Sequence, residues 1–441
     1  MKRVGWRFRV LASAHAASAY GNYLNLIALS LFSYEVTGTA FGVGAVMALR
    51  LFSGFVAGLM ADTLTTRITG KAVMICADIS QGAVMAVLAV CTEGRPLLLL
   101  AAAAMALGAG NTLFTVALRS AVPVMVGQDA RAQGNGLLVV ARSLAMLLGF
   151  ASAAPLIGLG GYALAFAVNA ASFVVSGAAL LALNLPTEDG VGARTPDDSG
   201  EVHSAGTKGG RRAVPTRDGR PWRVARALPS LLLGMVLLRA VDALASSSHN
   251  VALPVVAHAT SAAQPEAYMA RFWAAWAAGA VLAHLVLGRR RGEGAWNERA
   301  FALGTCAMAL SFVAAFLGLP ALGLVAATAA AGFADGWTEI VYTSRLQAAQ
   351  GPQRGRLFGL SAAAEQIGFA LGTVAASAAL ETLPALAVVG AFHGVALCGA
   401  LAFLLFTSGR RGAARQRPST SRREEEGSNG TTTGESALSG P

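Results

Sequence analysis

The stretch LLRAVDALA, residues 237–245, places Arg239 and Asp242 inside an otherwise apolar run. An ionised side chain near the centre of a bilayer costs about 2.5–3.5 kcal/mol on insertion scales, so it persists where it has a partner, a wet cavity or a task. Three positions apart, the two side chains share one helical face and neutralise each other. Two readings stay open: the pair fixes how its helix packs, or a proton on Asp242 frees Arg239 to change partner and gives the protein a two-state element. Asp335 and Glu339, four apart on a later helix, suit a gate or loop contact as well as proton binding. Glu365 falls near the middle of another apolar run with no basic residue close in sequence. It is the strongest single candidate for a proton site, the alternative being a neutral acid hydrogen-bonded to a neighbouring helix.

The first half of the chain carries its own embedded charges, Arg50, Asp78 and Arg142. An Asp78–Arg142 contact would make a charge network near one membrane face. Uncharged polar residues suggest cavity contacts: Tyr20, Asn22 and Asn25 in the first apolar run, and Asn250 of SSSHN (246–250) in the seventh. Their alternative role is hydrogen bonding between helices, worth under about 2 kcal/mol each. Trp273, Trp276 and Trp337 could stack on a drug-sized ligand, although Trp273 is placed where an interfacial tryptophan belt is expected in any case. His15, His249, His284 and His393 read as interior hydrogen-bonded histidines, and Cys76, Cys91, Cys306 and Cys398 as packing residues without metal-ligand spacing.

All these residues must be positioned by membrane helices. The chain of 441 residues is 55% hydrophobic and only 13% charged, against about 25% charged in a soluble domain. Apolar segments of about 20 residues, the length needed to span a hydrocarbon layer of about 30 Å, recur at 10–34, 41–62, 71–91, 97–118, 136–158, 161–184, 228–256, 268–288, 300–318, 320–345, 356–380 and 384–407. The first follows the basic start MKRVGWRFR without a small-residue cleavage site, and reads as a retained helix.

With the N-terminus inside, the basic residues of the loops and tail collect on the cytoplasmic side except Arg95 and Arg271, while Arg50, Arg142 and Arg239 lie within spans. Both termini are therefore expected in the cytoplasm of a multi-pass plasma-membrane protein. The net charge of +11 then meets anionic lipid headgroups rather than nucleic acid.

Residues 185–227, rich in Gly, Pro and charge, read as a cytoplasmic linker unable to fold alone, and 409–441 as a disordered tail. The expected architecture is all-α, with twelve transmembrane helices in two six-helix bundles, 1–184 and 228–408. That is the layout of transporters built around a midplane site.

The residues of GLMADTLTTR, 58–67, resemble the loop between the second and third helices of the major facilitator superfamily, in which Gly58, Asp62 and Arg67 match and Thr63 stands where an arginine is usual. The resemblance implies the major facilitator fold and a conformational lock at this loop, with Asp78 and Arg142 nearby as further switch candidates. YEVTGTAFGVG (34–44), FAVNAASFVVSG (166–177), GFADGWTEIVYTSRLQ and RGRLFGL resemble the branch of exporters similar to the enterobactin exporter and the macrolide efflux pumps. Gly21-Asn22 stands where that branch often has Gly-Asp. In GFASAAP, Phe150 and Ala154 replace the Pro and second Gly of its antiporter signature.

No phosphate-binding loop, metal cluster or nucleophile elbow is present in the sequence, so neither ATP-driven chemistry nor an enzyme is expected. No cofactor or metal is called for. The reading is a monomeric secondary transporter exporting an amphipathic small molecule, such as a drug, antibiotic or secondary metabolite, by proton antiport. Proton coupling would fall to Glu365, Asp242, Arg239, Glu339 and Asp335, and the substrate cavity to Tyr20, Asn22, Asn25, Arg50, Asn250 and Trp337. A siderophore exporter, or a membrane receptor or scaffold that transports nothing, are the alternatives; embedded carboxyls outnumber the arginines, which disfavours an anionic siderophore.

Overall fold

A computed structural model describes residues 5–65, 67–94, 96–126, 131–183, 230–287, 297–349 and 351–415. Among these residues the secondary structure is entirely helical. The helices are α1 (Trp6–Thr37), α2 (Ala40–Thr65), α3 (Gly70–Val90) and α4 (Leu97–Val126), then a long run Arg131–Ala182. That run breaks at Gly160 and Gly161, whose φ of 64° at Gly161 is a left-handed value that a side chain would oppose. It is therefore two helices, α5 (131–159) and α6 (162–182). The remainder are α7 (Ser230–Thr260), α8 (Pro265–Leu287), α9 (Glu298–Ala315), α10 (Ala321–Gln347), α11 (Gly351–Ala379) and α12 (Ala385–Arg415).

The helix ends follow local chemistry. Gly38, at φ 72°, donates its N–H to the Tyr34 carbonyl and closes α1. Thr69 and Asn297 cap α3 and α9 by accepting from the Ala72 and Ala300 amides. The linker expected at 185–227 lies outside the described residues. Of the expected tail, 409–415 continues α12 as helix and the rest lies outside the described residues.

Nine of the described helical stretches, the α5–α6 run counted as one, are long and apolar enough to cross a membrane. One of them, Gly136–Ala182, has 47 residues, about 70 Å of helix at 1.5 Å per residue. That is twice a hydrocarbon layer of about 30 Å, so it crosses and returns at the glycine break. α1 and α10 are not among the nine: they carry partly or fully buried polar residues, including Tyr20, Asn22, Asn25 and Asp335.

Packing pairs α1 with α5 and α6, α2 with α4, α3 with α4 and with the α5–α6 run, α7 with α11 and α12, α8 with α10, and α9 with α10 and α12. The first six helices meet the last six where α2 packs on α11 and α5 on α8. Small residues let the backbones touch. A Cβ on Gly332 of α10 would strike the Trp276 carbonyl of α8, and one on Gly279 of α8 the Ala329 carbonyl of α10. Gly332→Leu is therefore expected to overpack this crossing by about 1–3 kcal/mol and to lower the apparent Tm of detergent-purified protein, whereas Gly359→Leu, with open space around its position, should leave it unchanged.

Among the described residues the apolar core has three parts. One large cluster, including Leu24, Phe32, Phe150, Phe166, Phe272, Trp273, Phe312 and Leu324, joins both halves at the end of the molecule away from the termini. At the terminal end the core is divided, with Phe8, Met74, Phe114 and Leu180 in one cluster of the first half and Met235, Phe301, Tyr342 and Phe403 in another of the second. Among the described residues, the ring and hydrogen-bond contacts between halves fall at the far end or near mid-depth: Tyr34 on His258 (4.8 Å between ring centroids), Phe150 on Trp273 (5.6 Å), and the Phe41 N–H donating to Glu381 Oε1 (2.7 Å). Among the described residues the halves are joined at the far end and part toward the termini.

Two sequence expectations are corrected by this packing. Trp273 is not part of an interfacial belt; it is buried between Phe150, Phe272 and His249. Cys76, Cys91 and Cys398 are exposed on helix surfaces rather than packed, since an apolar position on a membrane helix is as readily lipid-facing as internal.

Candidate functional site

Gly368 of α11 lies against the Ala240 backbone and Gly372 against that of Leu244. This close approach brings α11 alongside α7 at the level of Arg239, and α10 flanks the same point. One guanidinium consequently faces carboxylates from three helices. Arg239 Nη2 donates to Glu339 Oε2 at 2.8 Å. Its Nη1 lies 3.5 Å from Asp242 Oδ2 and 3.8 Å from Asp335 Oδ1, and its Nε lies 3.8 Å from Glu365 Oε2. The Tyr342 ring lies 5.8 Å from the guanidinium carbon. The fork of N–H donors on an arginine can serve several acceptors at once, which an ammonium could not do in fixed geometry.

The cluster runs from dry to open. Side-chain exposure rises from 6% at Asp242 and 15% at Arg239 to 28% at Asp335, 35% at Glu365 and 48% at Glu339. Glu339 is further fixed by Thr343 Oγ1, which donates to Oε1 at 3.1 Å. Ser361 Oγ donates to Glu365 Oε1 at 2.7 Å, and the Tyr342 hydroxyl lies 2.6 Å from Ser361 Oγ. Because Ser361 spends its proton on the carboxylate, the phenol donates to it, giving a Tyr342–Ser361–Glu365 relay.

Arg239 and Asp242 are thus not a self-contained pair. The shortest partner of the arginine is Glu339, and Glu365, isolated in sequence, lies within ionic contact of it. Asp335 and Glu339 join the same cluster.

In the first half, Arg142 of α5 donates from Nε to the Tyr23 hydroxyl of α1 at 2.8 Å. It is exposed and lies within electrostatic range of Glu339 on the opposite half. The Asp78–Arg142 contact does not form: Asp78 is 1% exposed on α3 and faces Ser176 of α6. The helical register accounts for this, since α3 turns Asp78 into the interior of the first six helices while α5 turns Arg142 out of them. Arg50 is half-buried on α2 and makes no ion pair among the described residues.

Other candidates divide between cavity and interior. Tyr20 shares a hydrogen bond with Ser152 at 2.9 Å, Asn22 Nδ2 donates to the Ser18 carbonyl, and Asn250 Nδ2 donates to that of Ser246. All three remain half-buried, as does Trp337. Asn25 is 0% exposed with the neighbouring residues of α1 in the packed core, so it is an interior residue rather than a cavity contact. Gly58 packs near Thr112, Arg67 is exposed in the turn after α2, and Asp62 falls in the last turn of α2 with its side chain outside the described set.

Sequence reasoning missed the relay, although the four-residue spacing of Ser361 and Glu365 carries its α11 part; the link from Tyr342 crosses between helices. It also missed a buried pair, His249 Nδ1 to His393 Nε2 at 3.1 Å, stacked with Phe312. A separation of 144 positions leaves no local signal.

The family model described as Major Facilitator Superfamily matches residues 11–347. No curated protein matches the chain in sequence. Among solved structures, the chain resembles the nucleoside transporter NupG with a TM-score of 0.67 at 12% identity, covering 91% of this chain and 99% of that one. It also resembles the POT family transporter PepTSo, with a TM-score of 0.68 at 11% identity over 93% and 99% of the two chains. An auto-inhibited POT family peptide transporter gives 0.65 at 13% identity over 92% and 97%.

Proposed function

The chain belongs to the major facilitator superfamily, a family of multi-pass membrane transporters, and from that premise we propose that it exports an amphipathic small molecule by proton antiport. The observation that carries this reading is the single guanidinium shared by Asp242, Asp335, Glu339 and Glu365 at the open side of the molecule. With every acid ionised the cluster would hold a surplus of negative charge in a membrane, which is a place for protons to be taken up and released. A carboxylate that releases its proton reclaims Arg239; one that gains it lets the arginine turn to another partner. Such an exchange of partners biases two arrangements of α7, α10 and α11, and the halves rock about them.

The parting of the halves toward the termini among the described residues, and the basic residues that the sequence assigns to that side, support an orientation with both termini in the cytoplasm of the plasma membrane. In that orientation this arrangement faces inward and would receive cargo from the cell. Bundles over 1–184 and 228–408, joined by a cytoplasmic linker over 185–227, are part of the same proposal, as is action as a monomer. Sequence likeness to exporters similar to the enterobactin exporter and macrolide pumps supports efflux of drug-like or secondary-metabolite cargo. The half-buried Tyr20, Asn22, Asn250 and Trp337, with Arg50 in the first half, supply the few polar contacts of a cavity that is otherwise apolar.

Inside-out vesicles test the proposal directly. Fluorescent lipophilic cargo should accumulate in them when an inward-acid gradient is imposed and should leak out when the gradient is collapsed. Accumulation of every tested compound without regard to the gradient would remove the antiport reading.

A further inference from the structure

At the far end of the molecule a cavity of about 520 Å³ lies between the two halves. The first half contributes Tyr34 and Glu35 of α1 and Tyr162 of α6, and the second half contributes His258 of α7, Ala262 of the turn and Glu266 of α8. The cavity falls in the size range of small-molecule pockets, about 300–1,000 Å³. It is separate from the acid–arginine cluster, which belongs to the terminal side of the fold.

The polar groups facing this space share one character. Tyr162 lines the space beside Glu35, within electrostatic range of it and of Glu266. Neither Glu35 nor Glu266 makes an ion pair among the described residues. His258 Nδ1 lies 2.8 Å from the Pro254 carbonyl, which can only accept, so Nδ1 carries the hydrogen, and in that tautomer Nε2 is an acceptor. The Tyr34 ring is tilted against the imidazole, 4.8 Å between centroids, and lines the space together with the Tyr162 ring. Two carboxylates without a basic partner, an imidazole acceptor and two phenol rings form the surroundings that favour an ammonium centre carried on an apolar body. Three His, Cys, Asp or Glu side chains at metal-binding spacing do not occur among the described residues, which separates this lining from a metal site.

We infer that this cavity is a second binding site, for an organic cation of the amine class, and that its occupant holds the far end closed. The lining comes from both halves, so the site exists only while the halves are together there. A ligand that binds one arrangement and not the other shifts the population toward the first. The inference rests on the closed far end alone and is independent of transport direction and proton coupling.

The test uses the full chain in nanodiscs with ethidium as the probe cation and N-phenyl-1-naphthylamine as a neutral apolar control. Ethidium binding by fluorescence anisotropy should weaken at least about tenfold, or about 1.4 kcal/mol, in the Glu35→Gln/Glu266→Gln variant. Filling the space with Ala262→Trp should do the same. Glu339→Gln/Glu365→Gln should leave this binding phase in place, and the neutral control should be indifferent to Glu35 and Glu266. Spin labels at the exposed far-end positions Val90 and Leu322, in a protein with its four cysteines replaced by serine, report closure. Ethidium should narrow their distance distribution in the otherwise unaltered protein but not in Glu35→Gln/Glu266→Gln. Unchanged affinity in both cavity variants, or the same narrowing with and without the two glutamates, would overturn the inference. Loss of binding confined to Glu339→Gln/Glu365→Gln would do so too, and would place the cation in the cleft at the terminal end.

Discussion

Arg239→Gln is expected to lower gradient-driven transport by at least about 100-fold, or about 2.7 kcal/mol, and to lower the apparent Tm as well. The substitution leaves Asp242, Asp335, Glu339 and Glu365 grouped around a position with no cation. Removing one partner from a buried ion pair destabilises by about 3–5 kcal/mol because the survivor stays buried and uncompensated. Here four survivors also repel one another. The two losses have different remedies, which makes them separable. Adding Asp242→Asn and Glu339→Gln to Arg239→Gln removes the repulsion and should restore the melting temperature without restoring transport, since no guanidinium remains to exchange partners. Arg239→Lys should fold close to the parent protein and transport poorly, because a single ammonium cannot span acceptors placed by α7, α10 and α11. Normal transport by Arg239→Gln would show that the cluster is structural packing and nothing more.

The parts of this cluster that could be read from the sequence are those set by one helix. Arg239 and Asp242 are three apart, and Asp335 and Glu339 four apart, so their shared faces follow from 3.6 residues per turn. That Arg239 reaches Glu339, 100 positions away, is decided by which helices touch. This depends on backbone approach at Gly368 and Gly372 rather than on any pattern near the charges. Asn25 shows the same divide from the other side. A polar residue within a membrane helix announces an interior contact, but its 0% exposure reflects which face of α1 meets α5 and α6, and the sequence does not state that. Asp78 and Arg142 have similar depth, which invited a pairing, yet depth carries no information about azimuth around the helix axis.

The helix boundaries divide in a similar way. The break expected between spans ending at 158 and starting at 161 falls at Gly160 and Gly161, because a paired glycine is a local signal. By contrast α4 runs on to Val126 and α12 to Arg415, beyond the ends of their apolar stretches. Hydropathy marks the part of a helix that meets lipid, and the backbone hydrogen bonding continues past it into water.

Glu365→Gln is expected to separate gradient coupling from cargo movement. Glutamine keeps the volume and the acceptor toward Ser361, whose Oγ lies 2.7 Å from Glu365 Oε1, but it cannot release a proton and it cannot draw Arg239 by charge. If this carboxyl carries the coupled proton, uptake driven by an inward-acid gradient in inside-out vesicles should fall at least about tenfold, or about 1.4 kcal/mol. Exchange of labelled for unlabelled cargo across the same membrane, with no gradient imposed, should continue near the parent rate, because rocking of the halves then needs no proton to leave. The dependence of net transport on pH should flatten in parallel, while the apparent Tm should hold, since one negative charge fewer around Arg239 relieves repulsion. Glu339→Gln offers the internal contrast. It removes the 2.8 Å partner of Arg239 and should slow exchange and net transport together, as expected of a group that positions the arginine rather than one that carries the proton. Undiminished gradient-driven uptake in Glu365→Gln would move the coupled proton to Asp242, Asp335 or Glu339, and parallel loss of exchange would make Glu365 a part of the rocking machinery instead.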